Sequence, residues 1–151
     1  MTDVVSEKTR SRMMAGIKGK NTGPEMLVRK ALFAKGYRFR LHRKDLPGTP
    51  DVVVPGRRLA VFVNGCFWHR HTGCGLAKLP ATRPEFWGEK LERNKARDLQ
   101  AVSELAGLGW RVLIVWECFV RQQPNLQELG SAMSTWIEGT RILGELPEPS
   151  D

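Results

Sequence analysis

An apolar segment near the end of the chain, Trp110 to Trp116 (WRVLIVW), places the strongest limit on the fold. Only Arg111 interrupts it, so the segment does not alternate between apolar and polar residues. This pattern indicates a central strand with both faces covered. Such a strand needs packed layers on both sides of a sheet, and we therefore expect an α/β architecture.

The segments before this strand supply further sheet elements. Asp51-Val-Val-Val and Leu59-Ala-Val-Phe-Val are β-branched runs joined by Pro55-Gly56, and they predict a β-hairpin. The segment YRFRLH, 37–42, alternates as a half-buried strand does.

Two capping-box spacings predict the starts of helices. Thr22-Gly-Pro-Glu25 precedes a helix that should end at Gly36, and Thr82-Arg-Pro-Glu85 precedes a long helix over about 83–106. A last helix is predicted over about 125–139. The apolar positions expected in the core are Leu27, Ala31 and Leu32 on the first helix and Leu91, Leu99, Val102 and Leu105 on the second.

These elements predict a single α/β domain, 23–140, with a mixed central sheet flanked by helices. A basic arm, 1–22, precedes it. The acidic, proline-containing tail, 141–151, is expected to be disordered.

The chain is strongly basic: 24 Lys and Arg against 16 Asp and Glu give a net charge of +8 and a pI near 9.9. This excess is typical of a nucleic-acid-binding domain, although a soluble basic protein would show it too. No apolar run reaches the ~18 residues of a membrane span. The first residues lack the apolar core of a signal peptide, so we expect a cytoplasmic protein with reduced thiols.

Metal-binding residue types are concentrated in NGCFWHRHTGC, 64–74. Cys66, His71 and Cys74 have the spacing C-x4-H-x2-C, and Cys118 follows the buried strand. If that strand lies parallel to Leu59–Val63, all four side chains meet at one sheet edge, as a closed Cys3His zinc site requires. The alternative is that the cysteines are small buried apolar residues.

A second site is predicted beside the zinc site. In an extended loop His69 and His71 point in opposite directions, which would turn His69 towards Asp51. Pro50-Asp51 before a hairpin matches the start of the PD-(D/E)xK nuclease pattern, in which the Asp holds Mg²⁺ at the scissile phosphate. The matching triplet, Phe62-Val63-Asn64, lacks both the acid and the lysine. By itself the Pro-Asp dipeptide is more simply an Asp that ends a turn.

Four segments in order, PGTPDVVV, VFVNGCFWH, LPATRPEFWGEKLERNKARD and GWRVLIVWEC, closely resemble the very-short-patch mismatch repair endonucleases (Vsr). The resemblance covers about residues 6–118. It implies a restriction-endonuclease-like fold with a structural Zn²⁺ and a catalytic Mg²⁺. It also implies an enzyme that nicks one strand of double-stranded DNA beside the thymine of a T·G mismatch left by deamination of 5-methylcytosine. A bacterial monomer that acts at the nucleoid, alongside mismatch-repair proteins and a cytosine methyltransferase, fits this activity.

The resemblance also assigns roles to residues. Asp51 and the Val63 carbonyl would hold Mg²⁺, and His69 would act as general base. Glu25 would be an accessory acid, unless it serves only the capping box. Asn64 departs from the family form, which carries His there, and the loop has one more residue between His71 and Cys74.

The remaining implied roles concern DNA. Phe67, Trp68 and Trp87 would insert between base steps, with Met14 as an opposing wedge from the arm. Phe67 and Trp68 have a simpler alternative in core packing, and Met14 has one in helix packing. Zinc would then align the wedge and His69 with Asp51. The basic side chains expected to contact the DNA backbone are Arg10, Arg12, Lys18, Lys20 and Arg83.

Two other functions stay open from sequence. One is a zinc-stabilised DNA-binding module without chemistry. The other is a restriction-type nuclease that cuts matched DNA.

Overall fold

The computed structural model describes residues 22–149, and the predicted basic arm therefore lies almost entirely outside the described residues. The helices are α1 (Gly23–Ala34), α2 (Pro84–Gly107), α3 (Glu117–Gln122) and α4 (Leu126–Ile137). The strands are β1 (Arg40–Leu41), β2 (Val52–Val54), β3 (Leu59–Asn64), β4 (Arg111–Trp116) and β5 (Leu143–Leu146). Within 22–149 no helix is both long and apolar enough to cross a membrane.

The strands form one mixed sheet in the order β1-β2-β3-β4-β5. The first three are antiparallel, as the predicted hairpin requires, whereas β4 runs parallel to both β3 and β5. Asn64 lies opposite Trp116 in the register. The carboxyl ends of the two central strands therefore meet at one edge, which is the arrangement on which the predicted zinc site depends.

Side chains of alternate sheet positions pack into two cores. Leu59, Val61 and Leu113 face the larger core with α1 and α4, while Ala60 and Val112 face the second core with Leu105 of α2. Because both faces of β4 are covered, its residues can be apolar without interruption. Burial of each large aliphatic side chain contributes about 1.5–3 kcal/mol, so these two layers hold the sheet.

The tail prediction was wrong for residues 143–146. They form β5, which pairs with β4 from Val112 to Val115. Gly144 allows this, because a Cβ there would overlap the indole of Trp136 on α4. The strand depends on a partner about 30 residues earlier, which the Pro- and Glu-rich composition does not reveal.

Several helix details also differ from the sequence prediction. Leu27 and Leu99 are 41% and 63% exposed, because the buried faces of α1 and α2 are centred on Val28 and on Leu91 and Leu105. The N-cap of α2 is Arg83, in a left-handed conformation without a side-chain cap, rather than Thr82.

One strand and one short helix differ from the prediction as well. The strand predicted at 37–42 is only Arg40–Leu41, since it pairs with a three-residue β2 and ends at His42, which has φ 47°. The short helix α3, which the sequence did not predict, precedes α4.

Candidate active site and metal centre

Four potential metal ligands meet where β3 and β4 end. Cys66 follows β3, and Cys118 lies in the first turn of α3. His71 and Cys74 belong to the loop that connects β3 to α2. One ligand atom from each lies within 4.8 Å of the other three. The indole of Trp116 stacks on His71, with ring centroids 4.0 Å apart and an interplanar angle of 7°. These four residues can hold a tetrahedral cation.

The chemistry of these ligands also suits a cation. Burial raises the pKa of the Cys66 and Cys118 thiols, and burial lowers the pKa of His71. A bound cation stabilises thiolate and neutral imidazole, which are its ligand forms. The three sulfur donors and one imidazole are a set typical of structural zinc.

The loop that carries the cluster is a series of tight turns. The His69 N–H donates to the Gly65 carbonyl at 3.1 Å, and the His71 N–H donates to the Cys66 carbonyl at 2.9 Å. The side chains of α2 also hold this loop: Asn94 Nδ2 donates to the Trp68 carbonyl at 3.2 Å, and Lys95 Nζ donates to Thr72 Oγ1 at 2.9 Å. Loop and helix therefore form one unit.

A cavity of about 1140 Å³ lies beside the metal cluster, between the sheet and α2. Its lining includes Asp51, Val63, Asn64 and His69, which the sequence analysis assigned to a catalytic site. The loop Leu46–Pro50 closes one side. Gly48 is needed there, because its φ is +75° and a Cβ would lie 2.7 Å from Ala101 Cβ.

Asp51 is a largely buried carboxylate in the lining of this cavity. Its Oδ2 accepts the Val63 N–H at 2.8 Å, which fixes the side chain against the end of β3. The pKa of Asp51 is raised to about 6, chiefly by burial; the Val63 hydrogen bond, His42 and His69 act to lower it, and the charge of nearby Glu25 acts to raise it. A buried carboxylate that is costly to ionise alone suits a site that receives a cation.

His69 lies on the same cavity and contacts an acid that the sequence analysis missed. Its Nδ1 is 2.5 Å from Asp98 Oδ2 on α2, and both side chains are about one-third exposed (32% and 33%). A carboxylate at Nδ1 accepts a hydrogen bond from Nδ1–H, which keeps the proton on Nδ1 and leaves Nε2 as the basic nitrogen. Asp98 is 29 residues from His69, and only its position on the helix face that also carries Asn94 and Leu105 could have indicated it.

The sequence analysis left a choice at Glu25 between an accessory acid and a capping-box glutamate. Thr22 Oγ1 accepts the Glu25 N–H at 3.3 Å, as an N-cap does. The Glu25 carboxylate is nevertheless 1% exposed and faces the site, with Oε2 2.8 Å from His42 Nε2 and 3.1 Å from Arg29 Nη1. His42 was also missed, because YRFRLH indicated only an alternating strand.

The aromatic residues Phe67, Trp68 and Trp87 form one cluster, of which Phe67 and Trp68 also line the cavity. Their ring centroids are 5.0–5.9 Å apart, in tilted and edge-on arrangements. All three are half-buried, so the cluster is not part of the described core. The neighbouring Phe86 contacts Trp87 and is 41% exposed.

The remaining predicted DNA contacts fall in different places. Arg83 is exposed at the start of α2, with its guanidinium 4.5 Å from the Phe86 ring centroid. The structure does not describe the other predicted contacts, which lie outside residues 22–149: Met14, Arg10, Arg12, Lys18 and Lys20.

Comparison with known proteins places this chain in a family. The family model described as "DNA mismatch endonuclease Vsr" matches residues 2–75. Type II nicking enzyme V.XorIIP of Xanthomonas oryzae pv. oryzae is 54% identical over 131 residues, which are 87% of this chain and 91% of the relative. The DNA mismatch endonuclease Vsr of Escherichia coli is 45% identical over 141 residues, 92% of this chain and 90% of the relative. Type II nicking enzyme V.NmeAIP of Neisseria meningitidis is 39% identical over 128 residues, 85% of this chain and 91% of the relative.

The family model and these relatives define the class: a DNA endonuclease, a hydrolase of phosphodiester bonds. Within that class, the chain belongs to the Vsr DNA mismatch endonuclease family. The resemblance found from the sequence is thereby confirmed.

Proposed function

We propose that this protein is a Mg²⁺-dependent endonuclease that nicks one strand of DNA beside the thymine of a T·G mismatch, to begin very short patch repair. The observation that carries this proposal is that Asp51 and His69 line the same cavity, at the end of β3. The mismatch endonuclease of Escherichia coli, similar over 92% of this chain, supports the substrate.

The residues proposed to hold Mg²⁺ are Asp51 and the Val63 carbonyl, whose oxygens suit a hard cation. When bound, the ion would supply Lewis-acid stabilisation of the charge that develops on the phosphate. The raised pKa of Asp51 supports this role, because a buried carboxylate gains most from a neighbouring cation.

His69 is proposed to remove a proton from the attacking water. Asp98 accepts a hydrogen bond from the Nδ1–H of His69, so the proton stays on Nδ1. Nε2 then carries the lone pair that a general base needs. The proton of the water moves to Nε2, the water oxygen bonds to phosphorus, and the bond from phosphorus to the leaving sugar oxygen breaks; that oxygen takes up a proton from solvent. Asn64, at the end of β3, can orient water or phosphate but cannot transfer a proton at neutral pH.

The cluster of Phe67, Trp68 and Trp87 is proposed to enter the base stack at the mismatch. The three rings lie close together and are half-exposed. Their exposed apolar surface would be removed from water when they enter a stack of bases. A mismatched pair unstacks more easily than a matched one, and this difference provides selectivity. Asn94 and Asp98 lie one turn apart on α2 and contact Trp68 and His69, so sensing and cleavage share one support.

Zinc is proposed to hold the loop through Cys66, His71, Cys74 and Cys118. We expect Cys74→Ala to lose zinc, measured by elemental analysis, and to lose nicking with it. A variant that lacks zinc yet nicks at the wild-type rate would disprove the coupling. Leu76→Ala, in the same loop but outside the ligand set, is the matched control.

The decisive experiment is cleavage of a T·G duplex with Mg²⁺, followed on a denaturing gel with each strand labelled. We expect one nick in the T strand, none in the matched duplex, and none with Asp51→Asn. An intact strand with wild-type protein that still binds the duplex would support a binding module instead. Double-strand cleavage of matched DNA would support a restriction-type nuclease.

A further inference from the structure

Glu25, His42 and Asp51 form a second group of potential cation ligands on the side of Asp51 that faces α1. One ligand atom of each lies within 4.8 Å of the others. Glu25 is buried, the side chain of His42 is only 15% exposed, and both His42 and Asp51 line the cavity. The group is therefore enclosed by protein on one side and open to the cavity on the other.

The backbone fixes His42 in this group. Its N–H donates to the Asp51 carbonyl at 3.1 Å, and its φ of 47° turns the chain out of β1 immediately after Leu41. The side chain of His42 thus returns towards Glu25, with Nε2 2.8 Å from Oε2. Neighbouring ligands of an octahedral cation with bonds of about 2.1 Å are about 3 Å apart, which is close to this separation.

The charges favour a cation that gains from nitrogen ligation. Two carboxylates attract a divalent ion, but the Arg29 guanidinium, 3.1 Å from Glu25 Oε2, offsets part of that attraction. An imidazole adds a ligand without adding charge. Imidazole favours transition metals, whereas Mg²⁺ prefers oxygen ligands throughout.

We propose that Glu25, His42 and Asp51 form a mixed nitrogen–oxygen site that binds Mn²⁺ without DNA, and binds it more tightly than Mg²⁺. The proposal shares Asp51 with the proposed function but adds a nitrogen ligand and a preference among cations.

The test is a Mn²⁺ titration of the zinc-loaded protein without DNA, in which the electron paramagnetic resonance signal of free Mn²⁺ reports binding. Wild type should bind Mn²⁺ more tightly than Mg²⁺, the latter measured by competition. Loss of an imidazole ligand should raise the Kd for Mn²⁺ at least about tenfold in His42→Asn. The Kd for Mg²⁺ should change less than about threefold, because Mg²⁺ relies on the oxygen ligands. Asparagine is chosen because it tolerates the left-handed conformation at this position.

Two further variants complete the experiment. Glu25→Gln should also weaken Mn²⁺ binding, and it decides the question if His42→Asn fails to fold by circular dichroism. Asp45 is an exposed acid in the same loop as His42, and the control variant Asp45→Asn should bind Mn²⁺ as wild type does. Wild-type Mn²⁺ affinity in folded His42→Asn, or in Glu25→Gln where His42→Asn does not fold, overturns the proposal, and so does a wild-type protein with no preference for Mn²⁺.

The outcome is separable from that of the proposed function. If the protein nicks T·G DNA with Mg²⁺ but His42→Asn binds Mn²⁺ normally, only the nitrogen ligand is refuted. If Mn²⁺ binding depends on His42 but no strand is cut, the metal site stands and the nicking activity is refuted.

Discussion

The contact between His69 and Asp98 leads to a quantitative prediction for Asp98→Asn. A hydrogen bond to a charged group contributes about 1.5–3 kcal/mol. Since both side chains are about one-third exposed, the lower part of this range applies. At about 1.4 kcal/mol per tenfold change in rate, weakening of this bond alone lowers kcat about 10- to 30-fold.

The asparagine amide adds a second effect. It can donate to Nδ1, which would place the imidazole proton on Nε2 and remove the base. In a buried Ser-His-Asp triad this change of tautomer costs about 10⁴ in kcat. For the more exposed pair here we expect kcat to fall about 10- to 100-fold, with KM unchanged, because the loss affects the chemical step.

The assay is single-turnover nicking of a T·G duplex under saturating Mg²⁺, with DNA affinity measured separately. Glu104→Gln is the matched control, since it neutralises an exposed acid on the same helix. Full activity of Asp98→Asn, within about threefold of wild type, would refute the role of Asp98, because that ratio corresponds to less than 1 kcal/mol.

Three other predictions concern stability and selectivity. Because burial raises the pKa of Asp51 from 3.8 to about 6, its ionisation destabilises the folded state as pH rises through that interval. Asp51→Asn should therefore raise the free energy of unfolding at pH 7 without Mg²⁺, by at most about 3 kcal/mol, and the gain should vanish near pH 4 in urea titrations. Equal gains at both pH values would contradict this cause. If insertion senses the mismatch, Trp68→Ala should lower the ratio of T·G to T·A duplex affinity at least about tenfold in fluorescence titrations. An unchanged affinity ratio would exclude this role for Trp68. Gly48→Ala should lower the free energy of unfolding by about 1–3 kcal/mol in urea denaturation, because the added Cβ overpacks the site and the residue has a left-handed φ. Gly56→Ala, which meets no atom within 4 Å, should not.

Local patterns in the sequence predicted most of the elements. The hairpin, the long helix and the apolar strand each follow from the pattern of apolar residues over a short segment. One buried face makes apolar residues recur at the period of the element, and two buried faces give a continuous apolar run. The parallel pairing of β3 with β4 was the condition on which the predicted zinc site depended, and the structure shows that pairing. That pairing is why four ligands scattered over 53 positions, Cys66 to Cys118, can be recognised together.

Tertiary structure decided the features that depend on contacts between distant segments. The strand β5 forms because β4 presents an edge for pairing and because Gly144 has no side chain to overlap the Trp136 indole of α4. Asp98 became the partner of His69, and His42 the partner of Glu25, through the packing of α2 and α1 against the same sheet. A single residue of either type leaves no periodic signal, because its role comes from the group that it faces and not from its neighbours in sequence.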